Sequence, residues 1–168
     1  MNSIPFIIAE NDINLRLVRI LVILDKLSYS NKHKPILTLD KINTCDFLLR
    51  YPFILHKVIK DNEFKHSFCL KDYEYGNIDS SFPNIIMLFD QKMVNKVLQI
   101  LLGYDFVSVK EDNGILYIIT KSGSEFLNTL STDYISRIKE LSVCLFQIQN
   151  ISFTKINSMI NLAMEGEI

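Results

Sequence analysis

The 168-residue chain has no tryptophan, five glycines, four prolines, three cysteines and almost no net charge. The cysteines, Cys45, Cys69 and Cys144, are odd in number and far apart, which argues against a disulfide framework. No Cys-x-x-Cys or Cys/His cluster predicts zinc. A formal net charge of −1 provides no overall attraction to nucleic acid or membrane. A DNA-binding role would therefore need a local basic patch.

Long apolar runs are also missing. The longest run in the first predicted helix is far shorter than the roughly 18 residues that a membrane span requires. The opening stretch MNSIPFIIAENDIN lacks a basic region, and its apolar part is too short for a signal peptide. We therefore expect a soluble, cytoplasmic protein. The hydrophobic content of 48% suits a full core and also allows an apolar surface for a partner.

The sequence contains no catalytic signature. His33, His56 and His66 do not follow a metal-binding spacing, and no nucleophile stands beside a recognisable base. The phosphate-binding patterns GxxxxGKS and GxGxxG are absent. Glu111 and Asp112 favour a turn over a metal site. The sequence thus predicts no enzyme activity, no cofactor and no metal.

The first predicted helix runs from Ile13 to Leu27, with Asp12 as its cap. It is apolar on every side except for an edge marked by Arg16 and Arg19. Such a helix is buried on more than one side, and another subunit could cover one of those sides.

A second predicted helix begins after Thr38 and ends or kinks at Pro52, because proline lacks the N–H and restricts the residue before it. Pro52 can equally occupy the first turn of a third helix, Phe53 to Lys60. Residues 61–81 are polar and aperiodic, which predicts a long loop or a partly ordered insertion. The stretch FPNIIMLFD, residues 82–90, is consistent with a short strand.

A helix, a hairpin and another helix are predicted next. Asp90 caps the helix Gln91 to Leu102, and Gly103 ends it. The Asn-Gly pair in EDNG predicts a hairpin, because both residues tolerate positive φ. Its strands are Phe106 to Lys110 and Ile115 to Thr120, and a helix from Gly123 to Leu130 follows. This order predicts a winged helix-turn-helix plan, in which the hairpin is the wing.

The tail predicts two more helices. Asp133 caps the first, whose apolar seam is Tyr134, Ile138, Leu141, Leu145 and Ile148. The last helix runs from Lys155 to Met164. The predicted fold is α+β and mostly helical, with a winged-helix-like domain at residues 1–130 and a C-terminal packing or interaction segment at residues 131–168.

One face of the helix Gln91 to Leu102 could contact DNA. It carries Lys92, Asn95, Lys96 and Gln99. These side chains could reach phosphates and base edges, although a solvated helix face has the same composition. The predicted wing carries Lys110 but also two acidic residues that would repel phosphate, so the wing itself is not expected to bind DNA.

The stretch CDFLLRYPFILHKVI places an acid, an arginine and a proline inside an apolar run. Asp46 and Arg50 are four residues apart and could pair across one helical turn. Tyr51 and Pro52 would then redirect the chain, and Arg50 could help to satisfy the last helical carbonyls. This corner could serve only the local helix end, or it could shape a surface for a partner.

The stretch LDKINTCDFLLRYPFIL resembles a motif of the small middle components of ABC-three-component defence systems, the group that includes Lamassu-type antiphage systems. The matching residues are Lys41, Ile42, Asp46, Phe47, Leu48, Leu49, Arg50, Tyr51 and Pro52. The upstream RLVRILVILDKL and the downstream DNGILYIITKSGSEFL are also similar, so the resemblance covers most of Ile13 to Leu130. Residues 61–81 depart from it.

The resemblance implies a non-catalytic accessory subunit. Such a subunit assembles with an SMC-like, ABC-type ATPase and an effector, often a nuclease, and the complex senses invading DNA. Asp46, Phe47, Arg50, Tyr51 and Pro52 are then motif positions with a possible role in partner binding. ATP hydrolysis and DNA cleavage would belong to the partners.

A second hypothesis is a winged-helix transcriptional regulator that binds a specific DNA site. It would dimerise through the helix Asp133 to Gln149, and its DNA affinity would depend strongly on salt. The near-neutral charge and the acidic hairpin tip count against it.

Overall fold

The computed structural model describes residues 12–74 and 91–165. Within them it contains seven α-helices, a single-turn 3-10 helix at Asp72–Glu74 and one β-hairpin. The elements are α1 Ile13–Leu27, α2 Leu39–Arg50, α3 Pro52–Asp61, α4 Gln91–Gly103, β1 Val107–Glu111, β2 Ile115–Ile119, α5 Lys121–Thr129, α6 Asp133–Leu145 and α7 Phe153–Glu165. The predicted class, α+β and mostly helical, is confirmed.

Helix α1 lies at the centre of the protein. Its residues from Ile20 to Leu24 have almost no exposed surface, and the helix contacts α2, α4, α5, α6 and β2. A helix that is apolar on every side needs neighbours on every side. Those neighbours come from the same chain, so the apolar pattern of α1 does not require another subunit.

The predicted starts of α1 and α2 and the corner after α2 are confirmed. The Asp12 Oδ1 accepts a hydrogen bond from the backbone N–H two residues later at 2.8 Å. The Thr38 Oγ1 accepts one from the N–H three residues later at 3.4 Å. Pro52 occupies the first turn of α3, where a missing N–H costs no helical bond. Tyr51 therefore ends α2 and begins α3.

Two predicted helix starts are wrong by one or two residues. Thr132, and not Asp133, caps α6, since its Oγ1 accepts from the backbone N–H three residues later at 3.2 Å. Thr120 caps α5 in the same way at 3.1 Å, so α5 begins at Lys121 and not at Gly123. Both threonines have the extended backbone that a helix cap needs.

Helix α4 includes Gly103, but this glycine does not turn the chain out of the helix. Asp105 has a φ of 57°, and the N–H groups of Asp105 and Phe106 bond back to carbonyls in the last turn at 3.0 and 2.9 Å. This is a left-handed helix ending made by aspartate instead of glycine. The predicted Asp90 cap lies outside the described residues.

The hairpin forms where Asn113 and Gly114 predict it, with φ values of 52° and 144° at its turn. Strands β1 and β2 pair in antiparallel register. The segment between α1 and α2 covers the other edge of β2, since the Tyr117 N–H donates to the Leu37 carbonyl at 2.9 Å. This arrangement agrees with the winged-helix plan, which stays a prediction.

The C-terminal helices pack against the rest of the chain. Helix α6 lies against α1, and α7 lies against α3. The helix predicted to run from Asp133 to Gln149 ends at Leu145, and Ile148 lies in the turn that follows. The predicted seam is buried except for the half-buried Tyr134; its buried members are Ile138, Leu141, Leu145 and Ile148. The seam is therefore used inside the chain.

Residues 62–74, which we call the strap, are part of the predicted polar insertion. Phe64, Phe68 and Leu70 pack onto the core, so of the two predicted alternatives, a long loop or a partly ordered insertion, the described part agrees with an ordered insertion. The apolar residues of the strap are spaced irregularly along the sequence. Neither a helical nor a strand periodicity therefore indicates that they all face the core. The predicted strand at residues 82–90 lies outside the described residues.

Candidate functional site

Asp46, the acid of the family-like motif, bridges α2 to α1. Its Oδ1 accepts a hydrogen bond from the Arg19 Nε at 2.8 Å, and its Oδ2 lies 2.9 Å from the Arg16 Nε. Asp46 is 2% exposed, and Arg16 and Arg19 are 7% and 2% exposed. The predicted pair of Asp46 with Arg50 is therefore wrong, and the two α1 arginines are not a polar edge. Both carboxylate oxygens face α1, which lies directly against α2.

The Asp46 cluster consists of Asp46, Arg16, Arg19 and Tyr134, and it joins three helices. The Arg19 Nη1 donates to the Tyr134 hydroxyl on α6 at 3.0 Å. Burial alone would lower the pKa of Arg19, but Asp46 and Tyr134 outweigh burial and raise that pKa above its ordinary value. Two cations share one buried carboxylate, so the arrangement depends on Asp46 keeping its charge.

The remaining motif residues form the corner between α2 and α3. The rings of Phe47 and Tyr51 lie 4.8 Å apart, and both side chains are buried. The Arg50 guanidinium lies 5.6 Å from the centre of the Tyr51 ring, which is a cation–π distance. Arg50 and Pro52 are partly exposed. The structure thus brings the five motif residues together, with three buried and two partly exposed.

A second buried cluster holds the strap. The Arg137 Nε and Nη2 donate to the two Glu74 carboxylate oxygens at 2.9 and 2.5 Å. The same Nη2 donates to the Cys69 carbonyl at 2.9 Å, and the Nη1 lies 2.8 Å from the Glu140 carboxylate. The hydrogen bonds to Glu74 raise the pKa of Arg137 above its ordinary value, although burial opposes them. We call Arg137, Glu74 and Glu140 the Arg137 cluster.

Sequence reasoning missed the Arg137 cluster, because its two buried members are 63 residues apart. The signal was weak, because Arg137 stands among the polar residues Ser136, Lys139 and Glu140 and only its neighbour Ile138 belongs to the apolar seam. Gln147 adds a further attachment to the strap. Its side chain accepts from the His66 N–H and donates to the His66 carbonyl, both at 2.8 Å. Side chains from α6 and the turn after it therefore fix the backbone of the strap at two places.

The predicted DNA-contacting residues share one exposed face of α4. They are Lys92, Asn95, Lys96 and Gln99. The opposite face is buried through Val94, Val97, Leu98 and Leu101. At the start of α4, the Gln91 amide donates to the Asp40 carboxylate of α2, which orients the exposed face relative to the core. Glu111 and Asp112 are exposed at the hairpin tip, as the acidic turn predicts.

The buried thiols are poor nucleophiles at neutral pH. Burial raises the pKa of the Cys45 thiol to about 12, and burial also raises the pKa of Cys144. In residues 12–74 and 91–165, no three His, Cys, Asp or Glu side chains are placed to share a metal ion. No helix in the described part of the chain has the length and hydropathy of a membrane span. The absence of enzyme activity stays a prediction.

A family model described as MC4, "ABC-three component (ABC-3C) system Middle Component 4", matches residues 27–158. The match extends from the end of α1 into α7 and includes the α2–α3 corner, the Arg137 cluster and the hairpin. Searches of curated proteins and of solved structures found no match.

Proposed function

We propose that this chain, which belongs to the Middle Component 4 family of ABC-three-component systems, is a non-catalytic accessory subunit of a cytoplasmic bacterial defence complex. The family match over residues 27–158 is the observation that carries the proposal. It includes every residue of the corner motif. The family match supports an accessory role in a defence system. The identity of the partners is a further step of the proposal.

The proposed partners are an SMC-like, ABC-type ATPase and an effector such as a nuclease. In this arrangement the partners hydrolyse ATP and cut DNA. The chemistry of the chain's own residues supports this division, because its buried charged groups connect helices and its buried thiols stay protonated. Whether the system is of the Lamassu type stays a prediction.

The α2–α3 corner is our candidate for contact with a partner. Asp46, Phe47 and Tyr51 are buried and form its rigid base, whereas Arg50 and Pro52 reach the surface. The Arg50 guanidinium packs beside the Tyr51 ring at the proline corner, and arginine is enriched in the energetically important parts of interfaces.

The exposed face of α4 is our candidate for DNA sensing. Two lysines and two amides on one helical face can contact phosphates and base edges. The same observation favours the second hypothesis, a winged-helix regulator. The dimer surface predicted for that regulator is the helix Asp133 to Gln149. In the structure the apolar seam of this segment is buried against α1.

The first test is co-expression of the tagged full chain with its neighbouring genes, followed by mass measurement of the purified complex. We expect a large ATPase and a third protein in a defined stoichiometry. A lone dimer that retains one specific DNA fragment would instead establish the regulator and overturn the accessory-subunit proposal.

Variants make the same experiment specific for the corner. Arg50→Ala should leave a folded chain that recovers roughly tenfold less partner, which is the loss expected from about 1.4 kcal/mol at an interface. Lys121→Ala is the matched control, since Lys121 is a strongly exposed cation on α5, away from the corner. If both variants recover the same amount of partner protein, Arg50 does not contribute to the interface.

A further inference from the structure

Three aromatic rings stack at the surface where α4, the hairpin and α5 meet. The centroids of the Tyr104 and Phe106 rings are 5.8 Å apart and their planes differ by 22°. The centroids of Phe106 and Phe126 are 4.7 Å apart and their planes differ by 15°. Tyr104 is 68% exposed and Phe126 is 40% exposed. Rings at the two ends of the stack therefore leave much of their area in water, which core packing does not explain.

The aromatic stack lies at the C-terminal end of α4, next to its exposed face. Lys92, Lys96, Gln99 and Gly103 recur at intervals of four, three and four residues, so they lie along one side of the helix. Gly103 has no side chain, and open space surrounds the position that a Cβ would occupy. Tyr104 follows at once. Because consecutive helical residues point about 100° apart, the Tyr104 ring lies beside this side of the helix and not in line with it, and it borders the C-terminal end of the lysine face.

We infer that the exposed face of α4 and the neighbouring aromatic stack together bind single-stranded DNA, with an unpaired base stacked on Tyr104 and phosphates beside Lys92 and Lys96. The inference deepens the DNA-sensing part of the proposed function and rests on it. Proteins that hold single strands combine cations that follow the backbone with aromatic rings on which bases stack. Here the nearly parallel rings already form a short stack that a base can extend.

The geometry favours a single strand over a duplex. Bases in a duplex are covered by their own neighbours, so an exposed ring can stack only on a base that is unpaired. The acidic residues at the hairpin tip, Glu111 and Asp112, also disfavour the duplex contact that a wing normally makes. The exposed Asp105 stands between Tyr104 and Phe106 in the sequence, and its charge would disfavour a phosphate that passes close to it.

The test uses the full chain and a fluorescently labelled oligo(dT), with binding followed by fluorescence anisotropy. Tyr104→Ala should weaken binding about 5- to 100-fold, which is the usual effect of losing one base stack. Tyr104→Phe should retain the affinity, because the ring remains. Tyr73→Ala is the matched control, since Tyr73 is 65% exposed on the strap. An unchanged thermal unfolding midpoint for each variant would show that a loss of binding is not caused by loss of the fold.

Charge variants test the phosphate contacts. Lys96→Gln should weaken binding and reduce the slope of log affinity against log salt by about 0.7, the value for one phosphate contact with a single strand. Asp105→Asn should strengthen binding. Because the chain lacks tryptophan, quenching of tyrosine fluorescence by oligo(dT) gives a second signal, which Tyr104→Phe should reduce.

Several outcomes would overturn the inference. They are no binding of oligo(dT), tighter binding of a duplex of the same length, or equal losses with Tyr104→Ala and Tyr73→Ala. The co-expression experiment separates this failure from failure of the proposed function. If the chain assembles with its partners but does not bind oligo(dT), only the inference is wrong; if it binds oligo(dT) but does not assemble, the accessory-subunit proposal is wrong.

Discussion

The two buried arginine–carboxylate clusters use the same chemistry for different purposes. In the Asp46 cluster, one carboxylate serves two arginines and connects α1, α2 and α6. In the Arg137 cluster, one arginine serves two carboxylates and a backbone carbonyl, and it connects α6 to the strap. The first cluster joins helices of the core, whereas the second attaches a peripheral segment. The same buried pairing can therefore control global stability in one place and local order in another.

The largest expected effect is that of Asp46→Ala. Removing the shared carboxylate leaves two buried guanidinium groups without their counter-ion, which should lower the free energy of unfolding by about 3–5 kcal/mol. Urea unfolding followed by circular dichroism measures the loss. Asp133→Ala is the control, because Asp133 is exposed and is not the cap of α6. Similar losses from both variants would contradict the central role of the cluster.

Arg137→Ala should have a smaller and more local effect. The strap can swing outward and rehydrate Glu74, so we expect a loss of about 1–3 kcal/mol that is confined mainly to residues 62–74. Hydrogen exchange should accelerate in the strap more than in α1 and α2. Glu140→Ala is the control, because Glu140 is the exposed partner of the same arginine and exposed pairs contribute little. If hydrogen exchange in Arg137→Ala accelerated equally across the chain, the Arg137 cluster would control global stability, as the Asp46 cluster does.

The smallest expected effect is a pH dependence of the free energy of unfolding that is caused by His56, which lies beside the strap. Burial, with a contribution from Lys60, lowers the pKa of His56 below its ordinary value of 6.5. The unfolded chain therefore takes up this proton first, so the stability contributed by neutral His56 is present above pH 6.5 and is lost as the pH falls toward the lowered pKa. The His56 ring lies 5.7 Å from that of Phe68 in the strap.

Urea unfolding as a function of pH measures this contribution. His56→Gln should flatten the fall in stability below pH 6.5, whereas the exposed control His33→Gln should leave it unchanged. An identical pH profile for both variants would show that the His56 site does not contribute.

Features that depend on neighbouring residues could be predicted from the sequence. Asp12, Thr38 and Pro52 set helix ends through their own side chains and backbone, and Asn113-Gly114 sets the hairpin turn. The family resemblance also depended on contiguous residues around Asp46. It is confirmed at the level of ABC-three-component middle components. The domain division at residue 130 and the contact roles of the motif residues stay predictions.

Features that depend on distant residues could not be predicted in the same way. Arg50 was the nearest cation to Asp46 along the helix, but Arg16 and Arg19 approach it from another helix. Glu74 and Arg137 had no sequence pattern that linked them. The seam of α6 predicted a packing face, yet its pattern did not say whether another subunit or α1 would cover it.

The amino-acid sequence by itself determined where α1 and α2 begin, where the chain turns between α2 and α3, where the hairpin forms, and which family the chain resembles. These depend on caps, proline geometry and short motifs, which act within a few residues. Only the tertiary structure decided which arginines neutralise Asp46, what holds the strap and what covers the α6 seam. The physical reason is that a buried charge or apolar face pairs with whatever packing brings within contact distance, and that distance is not encoded by separation along the chain.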